Sequence, residues 1–225
     1  MKLTNAVSEI TEEQAFADPT KYASSFTTYT EPSTGNTYYA FKSLQVNIGK
    51  KEYRGIDWDL TANHKFGFGK LTAQLSGTHM LHANYTVPGS DNVYTSNMNF
   101  FGQTNEVTFR NLMKLTTTLD TGRLSNTVTV NYRNGYTDAA ATVYDVAAAK
   151  EVKGYRLQVP SYITFDWQAR FAYNTSTTIR AGIKNLFDRE PPLSLRASSG
   201  HQIGFDPRYA DPMMRSFYIT GNYKF

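Results

Sequence analysis

Residues Ile163-Thr164-Phe165-Asp166-Trp167-Gln168-Ala169-Arg170-Phe171-Ala172-Tyr173 alternate over eleven positions. Ile163, Phe165, Trp167, Ala169, Phe171 and Tyr173 fall on one side of the alternation, and Thr164, Asp166, Gln168 and Arg170 on the other. Successive side chains of a strand point to opposite faces, so this stretch reads as a strand with one apolar and one polar face. The same period recurs on both sides of it. Ile56, Trp58, Leu60 and Ala62 alternate with Asp57, Asp59, Thr61 and Asn63. Leu71, Ala73 and Leu75 alternate with Thr72, Gln74 and Ser76. Val107, Phe109, Met113 and Leu115 alternate with Thr108, Arg110, Lys114 and Thr116. Leu124, Val128, Val130 and Tyr132 alternate with Ser125, Thr127, Thr129, Asn131 and Arg133, and Ile179, Ala181 and Ile183 with Thr178, Arg180 and Lys184. At the C-terminus Phe217, Ile219, Tyr223 and Phe225 share a face, opposite Ser216, Thr220, Asn222 and Lys224, with Tyr218 on that second face.

These runs are roughly 10–16 residues long, whereas strands of soluble proteins peak near 5–6. Strands that cross a bilayer at a tilt need about 9–11 residues. The mean hydropathy of −0.48 fits that reading, because a membrane strand keeps one wet face and its average stays low. No apolar run of about 18 residues offers a transmembrane helix. Aromatics make up 14% of the chain, which excludes a disordered polymer. Zero Cys excludes a disulfide scaffold, a thiolate metal site and a Cys nucleophile.

The connections alternate in length. Gly67-Phe68-Gly69, Asp120-Thr121-Gly122 and Asn174-Thr175-Ser176 read as tight hairpin turns, whereas about 84–104, 136–161 and 187–215 are long and polar. An up-and-down sheet sends every second connection to the same side, so short turns and long loops segregate, as they do in outer-membrane barrels. The same rule predicts that residues 1–8 end a strand and that Thr11 to about Gly35 form a loop. Thr11 would cap a short helix there. Residues 37–66 would then be one long strand bulged near Gly49. The expected fold is all-β: an antiparallel up-and-down transmembrane barrel segment of about eight long strands.

Three blocks carry a family resemblance. Asn47-Ile48-Gly49-Lys50-Lys51-Glu52-Tyr53-Arg54-Gly55-Ile56-Asp57 resembles the N-x-G-x-x-x-x-x-G-[IV]-[DE] stretch of TonB-dependent outer-membrane receptors. Ile183-Lys184-Asn185-Leu186-Phe187-Asp188, followed by Pro191-Pro192, resembles their N-L-F-D segment. Gly204-Phe205-Asp206-Pro207-Arg208-Tyr209 and Arg215-Ser216-Phe217-Tyr218 resemble their D-P-R-Y segment and final strand. The blocks stand in the family's order and the chain ends on Phe225.

The resemblance implies a 22-stranded barrel with a plugged lumen. About 22 strands at roughly 28 residues each need more than twice this chain, so residues 1–225 are expected to be a C-terminal portion of such a barrel without its plug domain. No apolar leader follows Met1, which fits a missing front end that would hold the signal peptide, the TonB-contacting box and the plug. The implied location is the outer membrane of a Gram-negative bacterium. The implied partners are outer-membrane lipid, the plug and remaining barrel, TonB indirectly through the N-terminal part, and the barrel-assembly machinery. The implied activity is uptake of a scarce nutrient complex, siderophore-like or another small ligand. A complete eight-stranded barrel acting as anchor or adhesin stays open as an alternative at this stage. A soluble all-β module and a barrel enzyme fare worse on strand length and on the lack of a nucleophile-and-base constellation.

Three groups of residues follow. Trp58, Trp167, Phe171, Tyr173, Tyr223 and Phe225 suit the lipid-facing band and its aromatic girdles. Asp57, Asp59, Arg110, Lys114, Arg133, Asp166, Gln168, Arg170, Arg180 and Lys184 suit a wet lumen. Tyr85, Tyr94, Asn97, Tyr136 and Tyr144, with Asn92, Asn99, Phe100, Phe101 and Tyr155, are loop candidates for stacking on and hydrogen-bonding a ligand. The resemblance assigns Phe217, Tyr223 and Phe225 to the assembly signal. No catalytic, cofactor or metal site is expected. His79 and His82 lie at odd spacing, on opposite faces of a strand, and His64 and His201 stand alone, whereas a metal needs about three or four converging ligands. The charge of +4 is spread without a Lys/Arg tract, so nucleic acid is not an expected partner.

Overall fold

The computed structural model describes residues 2–4, 7–9, 12–42, 45–47, 50–86, 94–102, 106–195 and 204–225. In chain order the elements are β1 (Lys2–Thr4), β2 (Val7–Glu9), helix α1 (Glu12–Ala17), β3 (Phe26–Thr30), β4 (Thr37–Phe41), β5 (Gln45–Asn47), β6 (Lys50–Phe66), β7 (Gly69–Thr86) and β8 (Tyr94–Ser96). They continue with β9 (Asn111–Asp120), β10 (Leu124–Arg133), β11 (Tyr136–Thr137), β12 (Ala141–Asp145), β13 (Lys150–Tyr155), β14 (Gln158–Val159), β15 (Tyr162–Ala172), β16 (Thr177–Lys184) and β17 (Ser216–Tyr223). The main sheet runs β1-β6-β7-β9-β10-β15-β16-β17, an eight-strand antiparallel path in which chain neighbours are sheet neighbours, with β8 paired to β7 off that path.

Each tight turn has a local cause. Gly67-Phe68 alone separates β6 from β7. Gly122 takes φ +90 between β9 and β10, a conformation that suits glycine, and its N–H donates to Asp120 Oδ1 at 2.8 Å. Asn174 Oδ1 accepts the amides of Ser176 and Thr177 at 2.9 and 2.7 Å, closing the turn before β16.

The register sorts the faces. Leu75, Leu115, Val130 and Phe165 form one rung across four strands, and Ala73, Thr117, Val128, Trp167, Ile183 and Phe217 form another across six. This face stays open: Val128 and Phe171 are each 40% exposed, Phe217 is 71% and Ile219 is 77%. On the opposite face Gln74, Thr116, Thr129 and Asp166 share a rung. Asp57 accepts from Thr78 Oγ1 at 2.6 Å and Asp59 from Gln74 Nε2 at 2.8 Å, so both belong to that polar face. Lys114, Arg133, Gln168, Arg170 and Arg180 lie on it by register. A soluble sandwich would cover the apolar face with a second layer. Here large apolar side chains of the sheet are exposed, and the buried cluster of Phe101, Val107, Phe109, Tyr136 and Val159 lies in the connections.

The structure corrects three expectations. Residues 37–66 are three strands, because β4 pairs with β3 and β5 pairs with β2 before β6 joins the main sheet. Val107 and Phe109 precede β9 and enter the loop cluster; their alternation is satisfied by packing there. The segment 136–161 holds two small hairpins, β11–β14 and β12–β13. Thr11, Gly49, Asn92 and His201 lie outside the described residues.

The chain divides into two compact units: Met1–Tyr53 with Asn84–Ser96, and Arg54–Ala83 with Asn97–Phe225. In the first, the β3–β4 hairpin pairs Phe26 with Phe41, and Phe26 meets Phe16 edge-on at 5.2 Å. The second carries the described loop and wall candidates apart from Tyr85 and Tyr94.

Candidate functional site: a polar wall beneath an aromatic loop core

At the long-connection end of the second unit, three segments converge. Residues 97–109 supply Phe101, Val107 and Phe109; 136–159 supply Tyr136 and Val159; Tyr209 packs against them from the third. The rings meet edge-on, with Phe109 5.0 Å from Tyr209 and 5.7 Å from Tyr136, and Tyr136 5.8 Å from Tyr209. Such pairs add about 0.5–1.5 kcal/mol each beyond their burial. Arginines then line the rings. The Arg133 guanidinium lies 4.9 Å from Phe109, 5.5 Å from Tyr162 and 5.6 Å from Tyr209. Arg156 stacks on Phe100 at 4.5 Å while Nη1 donates to the carbonyls of Phe101 and Asp138, each at 3.0 Å.

Two carboxylates fasten the segments. Asp138 is fully buried. Its Oδ2 accepts Ser194 Oγ at 2.8 Å and the Leu195 amide at 2.6 Å, and its Oδ1 accepts the Ala139 amide at 2.8 Å. Asp206 binds Arg208 through a two-pronged contact, Nε to Oδ1 at 3.0 Å and Nη2 to Oδ2 at 2.7 Å. The carboxylate holds the Arg208 guanidinium above its ordinary range. Arg208 stacks on Phe101 and Tyr209, and the Tyr209 hydroxyl accepts the Val107 amide at 2.9 Å. The Asp206-Pro207-Arg208-Tyr209 block therefore acts as a latch from the last connection to the first. Burial pushes the Tyr136 phenol up to about 12; the Ser194 hydroxyl opposes that shift, and Asp138 and Asp206 reinforce it.

The Asn185-Leu186-Phe187-Asp188 block also proves architectural. Asn185 leaves β16 at φ +50, donates its amide to Asp166 Oδ1 at 2.8 Å, and exchanges two hydrogen bonds with the Arg189 backbone. Asp188, at φ +56, accepts the Arg215 amide at 2.8 Å just before β17. The turn thus orients both ends of the last long connection.

Below the loop core, the polar face borders an open concavity of about 610 Å³ lined in part by Asp57, Thr78, Lys114, Asn131, Arg133, Tyr162 and Tyr209. Cations, amides and hydroxyls there offer hydrogen bonds beside the apolar Leu112 and Met113. Among the described residues no group of three or more His, Asp or Glu converges to hold a metal. His79 Nδ1 is bonded to Asn111 Oδ1 at 2.7 Å, and His64 packs on Phe66 at 4.5 Å.

The five loop candidates separate by burial. Tyr85, Asn97 and Tyr136 are buried, and Asn97 Oδ1 accepts Thr108 Oγ1 at 3.1 Å. Tyr94 is 41% exposed on β8 and Tyr144 is 63% exposed on β12. Phe217, Tyr223 and Phe225 are all exposed, with the last two rings 5.1 Å apart. Asp138, Arg156, Tyr162 and Ser194 escaped the sequence reading. The contacts that join Asp138 to Arg156 and to Leu195 span 18 and 57 residues, and no local pattern marks them.

No protein-family profile matches the chain, and no curated protein matches it. Among solved structures it is similar to the ferric enterobactin receptor PfeA of Pseudomonas aeruginosa, at 19% identity and a TM-score of 0.55, over 83% of this chain and 24% of that one. The outer-membrane transporter YddB of Escherichia coli matches at 12% identity and a TM-score of 0.57, over 100% of this chain and 29% of that one. The siderophore receptor PirA of Acinetobacter baumannii matches at 12% identity and a TM-score of 0.54, over 100% and 28%. The chain thus spans about a quarter of the length of these structures and has the fold of a segment of their barrel wall.

Proposed function

We propose that this chain is the C-terminal part of the β-barrel of a TonB-dependent receptor in the outer membrane of a Gram-negative bacterium. The observation that carries the reading is the sheet itself: eight strands in sequential order, one face apolar and uncovered, the other polar and hydrogen-bonded within itself. Lipid covers such an apolar face, and backbone groups stay paired within the sheet. The N-L-F-D and D-P-R-Y blocks add specificity, because each performs a defined turn or latch. The chain supplies lateral wall and outer connections to a receptor that takes up a scarce nutrient complex. The plug and the rest of the barrel come from outside residues 1–225, and TonB acts through that plug. Exposed Tyr94 and Tyr144 are the loop residues suited to ligand contact. Phe217, Tyr223 and Phe225 form the terminal signal for barrel assembly.

The test is fractionation of the parent protein. It should enter the detergent-resistant outer-membrane fraction and migrate differently before and after boiling. Deleting Phe225 should lower that membrane level. A soluble monomer in plain buffer would overturn the membrane reading, and an unchanged level after the deletion would overturn the terminal signal.

A further inference from the structure

On the polar face, one side chain ties β17 across its neighbour to the wall. Register places Gln168, Gly182 and Tyr218 side by side across β15, β16 and β17. Tyr218 lies over Gly182, and its hydroxyl donates to Gln168 Oε1 at 3.0 Å, two strands away. Among the described residues this is the side-chain hydrogen bond that β17 makes. A Cβ on Gly182 would run into the ring and the hydroxyl of Tyr218. Gly182 does not take the positive φ of a turn glycine, so its backbone does not require glycine; the ring above it does. A glycine inside a strand weakens it, and an aromatic ring laid over that glycine restores the missing packing.

Tight turns join β6 to β7, β9 to β10 and β15 to β16, and a tight turn fixes the register of its hairpin. The long connection 185–215 joins β16 to β17, so no such turn sets theirs. Alternation excludes a slip of one residue, which would exchange the two faces. A slip of two passes that test, because Phe217 and Ile219 stay on the apolar face and Thr220 and Asn222 on the polar one. The Gly182 rung does not let it pass. Two residues either way along β16 stand Arg180 and Lys184, which meet Tyr218 with long side chains instead of a notch. The residues then brought to Gly182 are Ser216 or Thr220, and neither carries a ring to lay over it.

We infer that Gln168, Gly182 and Tyr218 form a clasp that selects the register of β17 when the last strand joins the wall. The inference rests on the reading of β17 as the terminal strand of an assembled barrel. It gives Tyr218 a positioning role separate from that of Phe217, Tyr223 and Phe225. A slip of two would carry those three aromatics about 7 Å along the wall at the rise of a strand. It would also leave backbone groups unpaired at the strand ends, which lipid does not tolerate.

The experiment reads register in the full-length parent, in isolated outer membranes, through introduced cysteine pairs. Residues 1–225 contain no Cys of their own. R180C/T220C joins positions that face each other in the described register, whereas T178C/T220C and R180C/N222C face each other only after a slip of two in one direction or the other. With the clasp intact, oxidation should close the first pair and leave the other two open. Y218A, which removes the ring and its hydrogen bond, should raise closure of the slipped pairs about tenfold. G182A, which expels the ring without altering it, should do the same, and G182A/Y218A should be no worse than Y218A alone, because the two changes act on one contact. Y218F keeps the ring in the notch and should show a smaller rise; it carries the test if Y218A does not reach the membrane. Variants that close only the R180C/T220C pair, whether or not their membrane level falls, overturn the clasp and leave the receptor reading intact. Additive effects of G182A and Y218A overturn it as well. Absence of the unaltered parent from the outer membrane overturns the receptor reading, and the clasp with it.

Discussion

Removing either partner of the Asp206–Arg208 pair should weaken the loop core by unequal amounts, and the structure sets the order. The Asp206 side chain is 1% exposed and that of Arg208 is 37% exposed. R208A therefore leaves a desolvated carboxylate without its guanidinium and removes the stacking on Phe101 and Tyr209. Breaking a buried pair in this way costs about 3–5 kcal/mol. D206A leaves a cation that is already partly in water and can turn further toward it, so solvent screening reduces the loss to about 1–2 kcal/mol. Hydrogen exchange at the Val107 amide reads the difference, because that amide donates to the hydroxyl of Tyr209, the next residue. At about 1.4 kcal/mol per decade, R208A should lower protection about a hundredfold or more and D206A about tenfold. R208K, which keeps the charge but not the fork, should fall between them. A D206A loss equal to or larger than that of R208A would refute the argument that carboxylate desolvation governs the latch.

Two further outcomes are expected. The folded pKa of Tyr136 lies above that of an ordinary phenol, so its contribution to stability is intact below about pH 10 and falls as pH rises toward 12; near-ultraviolet circular dichroism should show the loop core loosening in that window, and an identical loss in Y136F would assign it elsewhere. Gly135→Ala would drive a Cβ into the Val159 carbonyl oxygen, a backbone atom held in the β11–β14 pairing; overpacking of this kind costs about 1–3 kcal/mol, and a thermal midpoint of the loop core no lower than that of the native chain would count against this packing.

Alternation was enough to place most of the wall. Ile163 to Tyr173 predicts a strand with two unlike faces, and β15 spans Tyr162–Ala172 with those faces. The residues read as lumen-facing, such as Lys114, Arg133, Gln168 and Arg180, come to one face because a period of two leaves a paired strand little freedom of register. Where the chain leaves the sheet, the same signal misleads. Val107 and Phe109 continue the alternation of β9 in sequence, yet they pack with Tyr136 and Val159 in the loops. Tyr136 reads as a surface aromatic and is buried, whereas Tyr144, in the same connection, is exposed.

The amino-acid sequence by itself determined the two-faced strands, the tight turns and the resemblance of three short blocks, because each depends on residues a few positions apart. Tertiary structure alone decided what those blocks do and where the charges stand. Asp138 meets Ser194 and Leu195, and Val107 meets Tyr209, across 56, 57 and 102 residues. Arg170 faces Arg180 because the Tyr173–Ser176 turn and the β15–β16 register bring them opposite. Periodicity reports which face a side chain takes, and only the folded chain reports which side chain it meets there.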